Sequence, residues 1–171
     1  VTFTPRTWAV GETVTAAYMN TEIRDQFNSM FAAYTAYTPT WTAVTTNPSL
    51  GNGTLVGQYM KIGRICLITW QLTMGSTTTY GSGSWRMSLP FTAATVTSGS
   101  PGVLNYTYSK TASPNFLLGF GPVPNGATTG DNMLFPSFTV IGDYDVISGT
   151  SHFTPAAGEV MRGYGVYQTA T

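Results

Sequence analysis

The chain has 171 residues, with seven Lys and Arg matched by seven Asp and Glu, so its formal net charge is zero. That length suits one domain with a single core. Charged residues make up only 8% of it, against about 25% in an ordinary soluble domain, and charges so few and so evenly matched exclude the basic face that nucleic-acid binding requires.

Thr, Ser, Gly and Tyr dominate instead, a surface chemistry that suits proteins of crowded, repeated assemblies. Cys66 is the only cysteine, which excludes an internal disulfide and a thiol metal cluster. Within the apolar run ICLITW it reads as a buried, inert thiol. No segment approaches the roughly 20 apolar residues of a membrane span. VTFTPRTW lacks the basic-then-apolar pattern of a signal peptide. The expectation is that, if the protein leaves a cell, something other than a signal peptide takes it out, such as lysis.

Residues 1–14 alternate weakly, and Pro5 disfavours a regular central strand. They read as an extended anchoring arm with Phe3 and Trp8 as apolar pegs. Two uses are open: docking onto another protein, or folding back on the chain's own helix. Residues 15–37 then read as the one long helix, closed by Thr38 because Pro39 disfavours helix in the residue before it. Thr15 is the expected N-cap, with Val14 and Met19 placed as a hydrophobic staple. Ile23, Phe27, Met30, Tyr34 and Tyr37 recur at 4-3-4-3 spacing, which makes a narrow coiled-coil-like seam. So short a helix is marginal alone and needs a partner; a second copy of the same seam is the simplest one. Bulky residues along the seam do not favour a tight dimer.

From Trp41 onward the pattern is β structure. WTAVTT is a short strand, and NPSLGNGT is a turn cluster with Asn52-Gly53 as its tight-turn pair. TLVGQYMKIG and RICLITWQLTMG form a hairpin joined through residues 61–64. In its second strand Ile65, Leu67 and Thr69 share one face and Cys66, Ile68, Trp70 and Leu72 the other. Both faces are apolar near the middle, which predicts a central strand covered on both sides. GSTTTYGSGS reads as a loop too polar to bury. SWRMSLPF, VLNYTYS, FLLGF and MLFPSFTVIG follow as strands, Pro136 marking an edge or bulge. EVMRGYGVYQTA alternates Val160, Arg162, Tyr164 and Val166 against Met161, Gly163, Gly165 and Tyr167, and reads as a terminal strand closing the sheet. The fold class is therefore mainly β: an extended arm (1–14), an oligomerisation helix (15–38) and a jelly-roll-like β-sandwich (39–171).

Chemistry is sparse. His152 is the only histidine, and a catalytic triad cannot be argued from its common Ser and Asp neighbours. Asp143 with Asp145, or Asp131 with Glu159, are the carboxylate pairs a glycosidase would need, but solvated or turn-forming roles account for them. No phosphate-binding loop, dinucleotide fingerprint, CxxC or HExxH is present. No catalytic residue, metal ligand or cofactor is expected. Aromatics are plentiful, at 13%. Sugars bind exposed rings flanked by hydroxyls and amides, and Tyr80, Tyr106 and Tyr108 are candidates for such a platform; the competing reading places these rings in the core or between subunits.

The phrases TPRTW-x-VGE-x-VTAAYMNTEIRDQFNSMFAA, AYTPTW, NPSLGNGTL-x-G-x-YMKIGR, GSTTTYGSGSW and LPFTAA occur in that order. Together they resemble a module of tail and minor tail structural proteins of tailed bacteriophages that infect actinobacteria. The resemblance covers residues 4–94, and the remainder more loosely. It implies a homotrimer at the virion surface, with a helix leading into a β domain, and it transfers no active site. The chain has no long shaft, which points to a small tail spike, tail tip or minor tail protein. A capsid decoration protein at head three-fold axes is the alternative, and a carbohydrate-binding module for host cell-wall glycans is a reading of another class. The implied partners are copies of the chain, other virion proteins of tail or capsid, and a host surface glycan.

Overall fold

A computed structural model describes residues 7–111, 116–130, 134–136, 144–146 and 155–171. Within them a short helical segment precedes an antiparallel β-sandwich, the class the alternation pattern predicts. The helical segment is three pieces run together: α1 (Ala16–Met19), a π-helical turn (Asn20–Arg24) and α2 (Asp25–Met30).

The strands are β1 (Thr35–Tyr37), β2 (Trp41–Ala43), β3 (Thr54–Ile62), β4 (Ile65–Thr73), β5 (Trp85–Ser88) and β6 (Gly102–Ser109). They continue as β7 (Phe116–Val123), β8 (Thr129–Gly130), β9 (Leu134–Pro136), β10 (Tyr144–Val146) and β11 (Val160–Gln168). They divide unequally, not as two matched sheets. The large sheet runs β1-β3-β4-β11-β6-β7-β9-β10, and the small one β2-β5-β8.

The sandwich follows from period-two alternation in the central strands. In β4, Cys66, Ile68, Trp70 and Leu72 point inward and are buried; Met161 and Tyr167 of β11 and Leu104, Tyr106 and Tyr108 of β6 join them. The small sheet closes the layer with Trp41, Trp85 and Met87. Trp41 and Trp85 meet edge-on, with centroids 4.8 Å apart, and the Trp85 indole N–H donates to the Tyr80 carbonyl at 2.9 Å. Burial of each such ring stabilises the fold by roughly 1.5–3 kcal/mol.

β3 and β4 form the expected hairpin, paired from Thr54↔Thr73 to Ile62↔Ile65. Its turn is Gly63-Arg64, and Gly63 takes φ +56°, the left-handed region a tight hairpin turn needs. A second glycine is fixed by packing. Gly163 of β11 lies opposite Trp70, and a Cβ there would stand 2.2 Å from the indole Cε2. The large ring on β4 thus requires the missing side chain on β11.

Four expectations change. The helix stops at Met30, not near Thr38. Residues 35–37 pair with β3 as an edge strand, with Tyr37 opposite Gly57. Tertiary packing wins over the local spacing there: the half-buried Tyr37 ring meets Tyr59 edge-on at 6.0 Å. β11 does not close an edge of the sheet but lies in its middle, between β4 and β6. GSTTTYGSGS is partly buried. Thr78 donates to the Leu50 carbonyl at 2.7 Å and accepts from the Gly75 N–H at 2.8 Å, so its hydroxyl is satisfied inside. Finally, among the described residues the inner face of β4 is buried, while on the other face Ile65 is exposed and Leu67 and Thr69 are half-buried. Pro136 ends β9, one strand in from β10 at the sheet's edge. The remainder of the segments around it lies outside the described residues.

Candidate functional site

The candidate site is the apolar stripe of the N-terminal helix, built from the cap upward. Thr15 is extended at φ −88° and its hydroxyl accepts from the Tyr18 N–H at 3.3 Å, as an N-cap should. Ahead of it the chain turns at residues 9–12. The Glu12 N–H donates to the Ala9 carbonyl at 3.2 Å, and the Glu12 carboxylate accepts from the Ala9 N–H at 3.1 Å. That turn sends Trp8 back onto the helix, edge-on to Tyr18 with centroids 6.2 Å apart. Within the single chain Trp8 lies against the helix, the second of the two uses left open for the arm, and remains exposed. Phe3 lies outside the described residues.

The π-turn is the least regular part of the helix. The Asp25 N–H bonds to the Asn20 carbonyl, five residues back, and the Gln26 side-chain amide donates to the Thr21 carbonyl at 3.1 Å. Such turns insert one extra residue and rotate the faces on either side of them. Ile23, Phe27 and Met30 of the helix and Tyr34 of the connector that follows all remain outward, between 40 and 58% exposed. Phe31, at the helix end, is still more exposed. Tyr34 stands beyond the helix and Tyr37 faces the sandwich, so the seam holds three helical members and is shorter than the 4-3-4-3 spacing predicts. The Arg24–Asp25 ion pair, 2.7 Å apart, is on the surface and adds little.

The proposed sugar platform is not assembled. Tyr106 and Tyr108 are buried core residues. Tyr106 packs against Trp70 with centroids 5.9 Å apart, and Tyr80 is half-buried and stacks on Trp85 at 6.4 Å. The parity of β6 carries the signal for this: Tyr106 and Tyr108 share a face with Leu104, while Val103, Asn105 and Thr107 take the other.

Sequence reasoning missed the setting of Glu159. It is buried, and its carboxylate accepts from the Tyr108 hydroxyl and from the Ala156 N–H, the latter at 2.9 Å. Burial first, and then the carboxylate beside it, push the Tyr108 phenol well above its ordinary pKa. The contact latches the segment before β11 to β6, and the Met74 N–H, donating to the Glu159 carbonyl at 3.0 Å, ties the same residue to the end of β4. This is a structural pairing. Asp131, Asp143 and His152 lie outside the described residues, and Asp145 falls in β10. Among the described residues no group of three His, Cys, Asp or Glu is placed to hold a metal. Cys66 is buried as expected, and burial pushes its thiol pKa up. Among the described residues no helix is long and apolar enough to cross a membrane.

Comparison with protein-family models, curated proteins and solved structures finds no match for this chain.

Proposed function

We propose that this chain is a non-enzymatic structural protein of a bacteriophage virion surface, homotrimeric through its N-terminal helix. It would serve as a small tail spike, tail tip or minor tail protein. The motif phrases of residues 4–94 support the virion role. One observation carries the self-association: Ile23, Phe27, Met30 and Tyr34 stand exposed on a segment in which no described residue is buried. A helix of this length does not hold itself in water, and a stripe of large apolar side chains gains by leaving it. The role asks for no cofactor and no catalytic group.

Sedimentation equilibrium of the full chain tests this. The expected mass is three times the 18.3 kDa of one chain, reduced to one chain by Phe27→Asp, which sets a charge in the stripe. Arg24→Ala should leave the mass unchanged. Imaging particles with this protein labelled separates tail attachment from capsid decoration: few copies at a symmetric tip, or many at head three-fold axes.

A further inference from the structure

We infer that a cleft on the outward face of the large sheet binds a saccharide that bears a carboxylate, with Arg162 and Tyr164 as its two main contacts. The cleft uses residues apart from the helix stripe and does not rest on the self-associating reading above.

Register builds the cleft. Gln58 of β3, Thr69 of β4 and Tyr164 of β11 stand side by side in one row, and Val56, Gln71 and Arg162 in the next. They point away from the core because they alternate with Gly57, Trp70 and Gly163. Thr69 is short and its two row neighbours are long, so β4 supplies a floor between two walls. The space enclosed is about 510 Å³ and is lined by these side chains, a size that suits a small ligand.

Arg162 supplies a held charge with no opposite charge beside it. Its Nε donates to Gln71 Oε1 at 2.9 Å and its Nη1 to Ser109 Oγ at 3.4 Å, both neutral acceptors. Among the described residues no carboxylate lines the cleft or pairs with Arg162. A guanidinium stays charged at any ordinary pH, and its remaining donors match the geometry of a carboxylate. Two residues along the same strand, the Tyr164 ring is 52% exposed. It offers a flat apolar face for the C–H side of a sugar ring and a hydroxyl at its tip. Gln58 adds an exposed amide and Thr69 a half-buried hydroxyl, neither bonded to a described residue. Such groups both donate and accept, as sugar hydroxyls require. An acidic peptide fits less well, because β3, β4 and β11 each have a strand on both sides and leave no edge for an extended chain to join. One cation is too few to hold a nucleic acid.

Calorimetric titration of the whole chain with trigalacturonate, its neutral methyl ester, acetate and triglutamate tests the site. Trigalacturonate is expected to bind saturably in the millimolar range, and the ester about tenfold more weakly. Arg162→Gln should erase that difference, and Tyr164→Ala should weaken both sugars about tenfold. Circular dichroism checks that the variants fold. Should either not, the side-chain amide resonances of Gln58 and Gln71 in the unmodified chain decide: they are expected to shift with trigalacturonate, and no shift overturns the site. No saturable binding of trigalacturonate overturns it too, as does an affinity that ignores both substitutions. Acetate or triglutamate binding as tightly as the sugar would leave a bare anion site and overturn the saccharide. None of these outcomes bears on the helix, whose reading fails only by the mass of the chain in solution.

Discussion

The N-terminal segment and the sandwich solve the same problem in opposite ways. Between residues 7 and 36 no described residue is buried, although the segment carries Trp8, Tyr18, Ile23, Phe27, Met30 and Phe31. In the sandwich Trp85, Ile68, Leu72 and Tyr108 are almost wholly removed from water by the chain's own two sheets. Among the described residues the sandwich buries its core within the single chain. The helical segment buries none of its described side chains, and under the proposed assembly these are the ones that would meet other copies. That proposal puts folding energy and assembly energy in different parts of the molecule, and substitutions should separate them.

The largest effect belongs to the core. Trp85→Ala removes a fully buried ring that touches Trp41 and Tyr80, and should destabilise the sandwich by about 3–5 kcal/mol. Urea unfolding in the Phe27→Asp background measures this without a contribution from assembly. Gly163→Ala comes next. Its methyl group would press on the Trp70 ring, which is itself buried against Tyr106, so a loss of about 1–3 kcal/mol is expected.

Alkaline pH should act on the sandwich. Burial raises the phenols of Tyr37, Tyr108 and Tyr167 above their ordinary value. The unfolded chain releases these protons near pH 10 while the folded chain keeps them. Stability is thus fully present below about pH 10 and falls as pH rises above it. The tyrosinate absorbance of these three should appear together with the loss of near-ultraviolet circular dichroism, and ionisation in the still-folded protein would contradict their burial. The smallest effect belongs to the helix cap. Thr15→Ala costs the helix about 1 kcal/mol, and should lower helical signal while leaving the sandwich midpoint in place. A shift of that midpoint by the full cap energy would show that the two regions fold as one.

Much of the sandwich is legible in local alternation. The inward and outward sets of β4 and β11 divide as their sequences do, and the turn at Gly63 follows from a glycine between two apolar runs. The place of β11 in the sheet is not legible, because strand order depends on contacts with β4 and β6, whose residues pair with it from 51 to 103 positions away, which no short window contains. The helix end fails for a related reason. Tyr34 and Tyr37 continue the seam spacing, but Gly57 and Tyr59 of β3 offer Tyr37 a better contact than a further helical turn would. At the candidate site the outward stripe of Ile23, Phe27 and Met30 was readable from spacing. The π-turn among them was not, since nothing in NTEIR distinguishes a five-residue bond from a four-residue one. Glu159 shows only its charge in the sequence, because its partner Tyr108 lies 51 residues away.

The mass of the 171-residue chain in solution, measured by sedimentation equilibrium beside Phe27→Asp, bears most directly on the account. Three chains per particle, falling to one in the variant with the sandwich still folded, is the predicted result. A single chain at all concentrations, or a trimer indifferent to a charge at position 27, would contradict it.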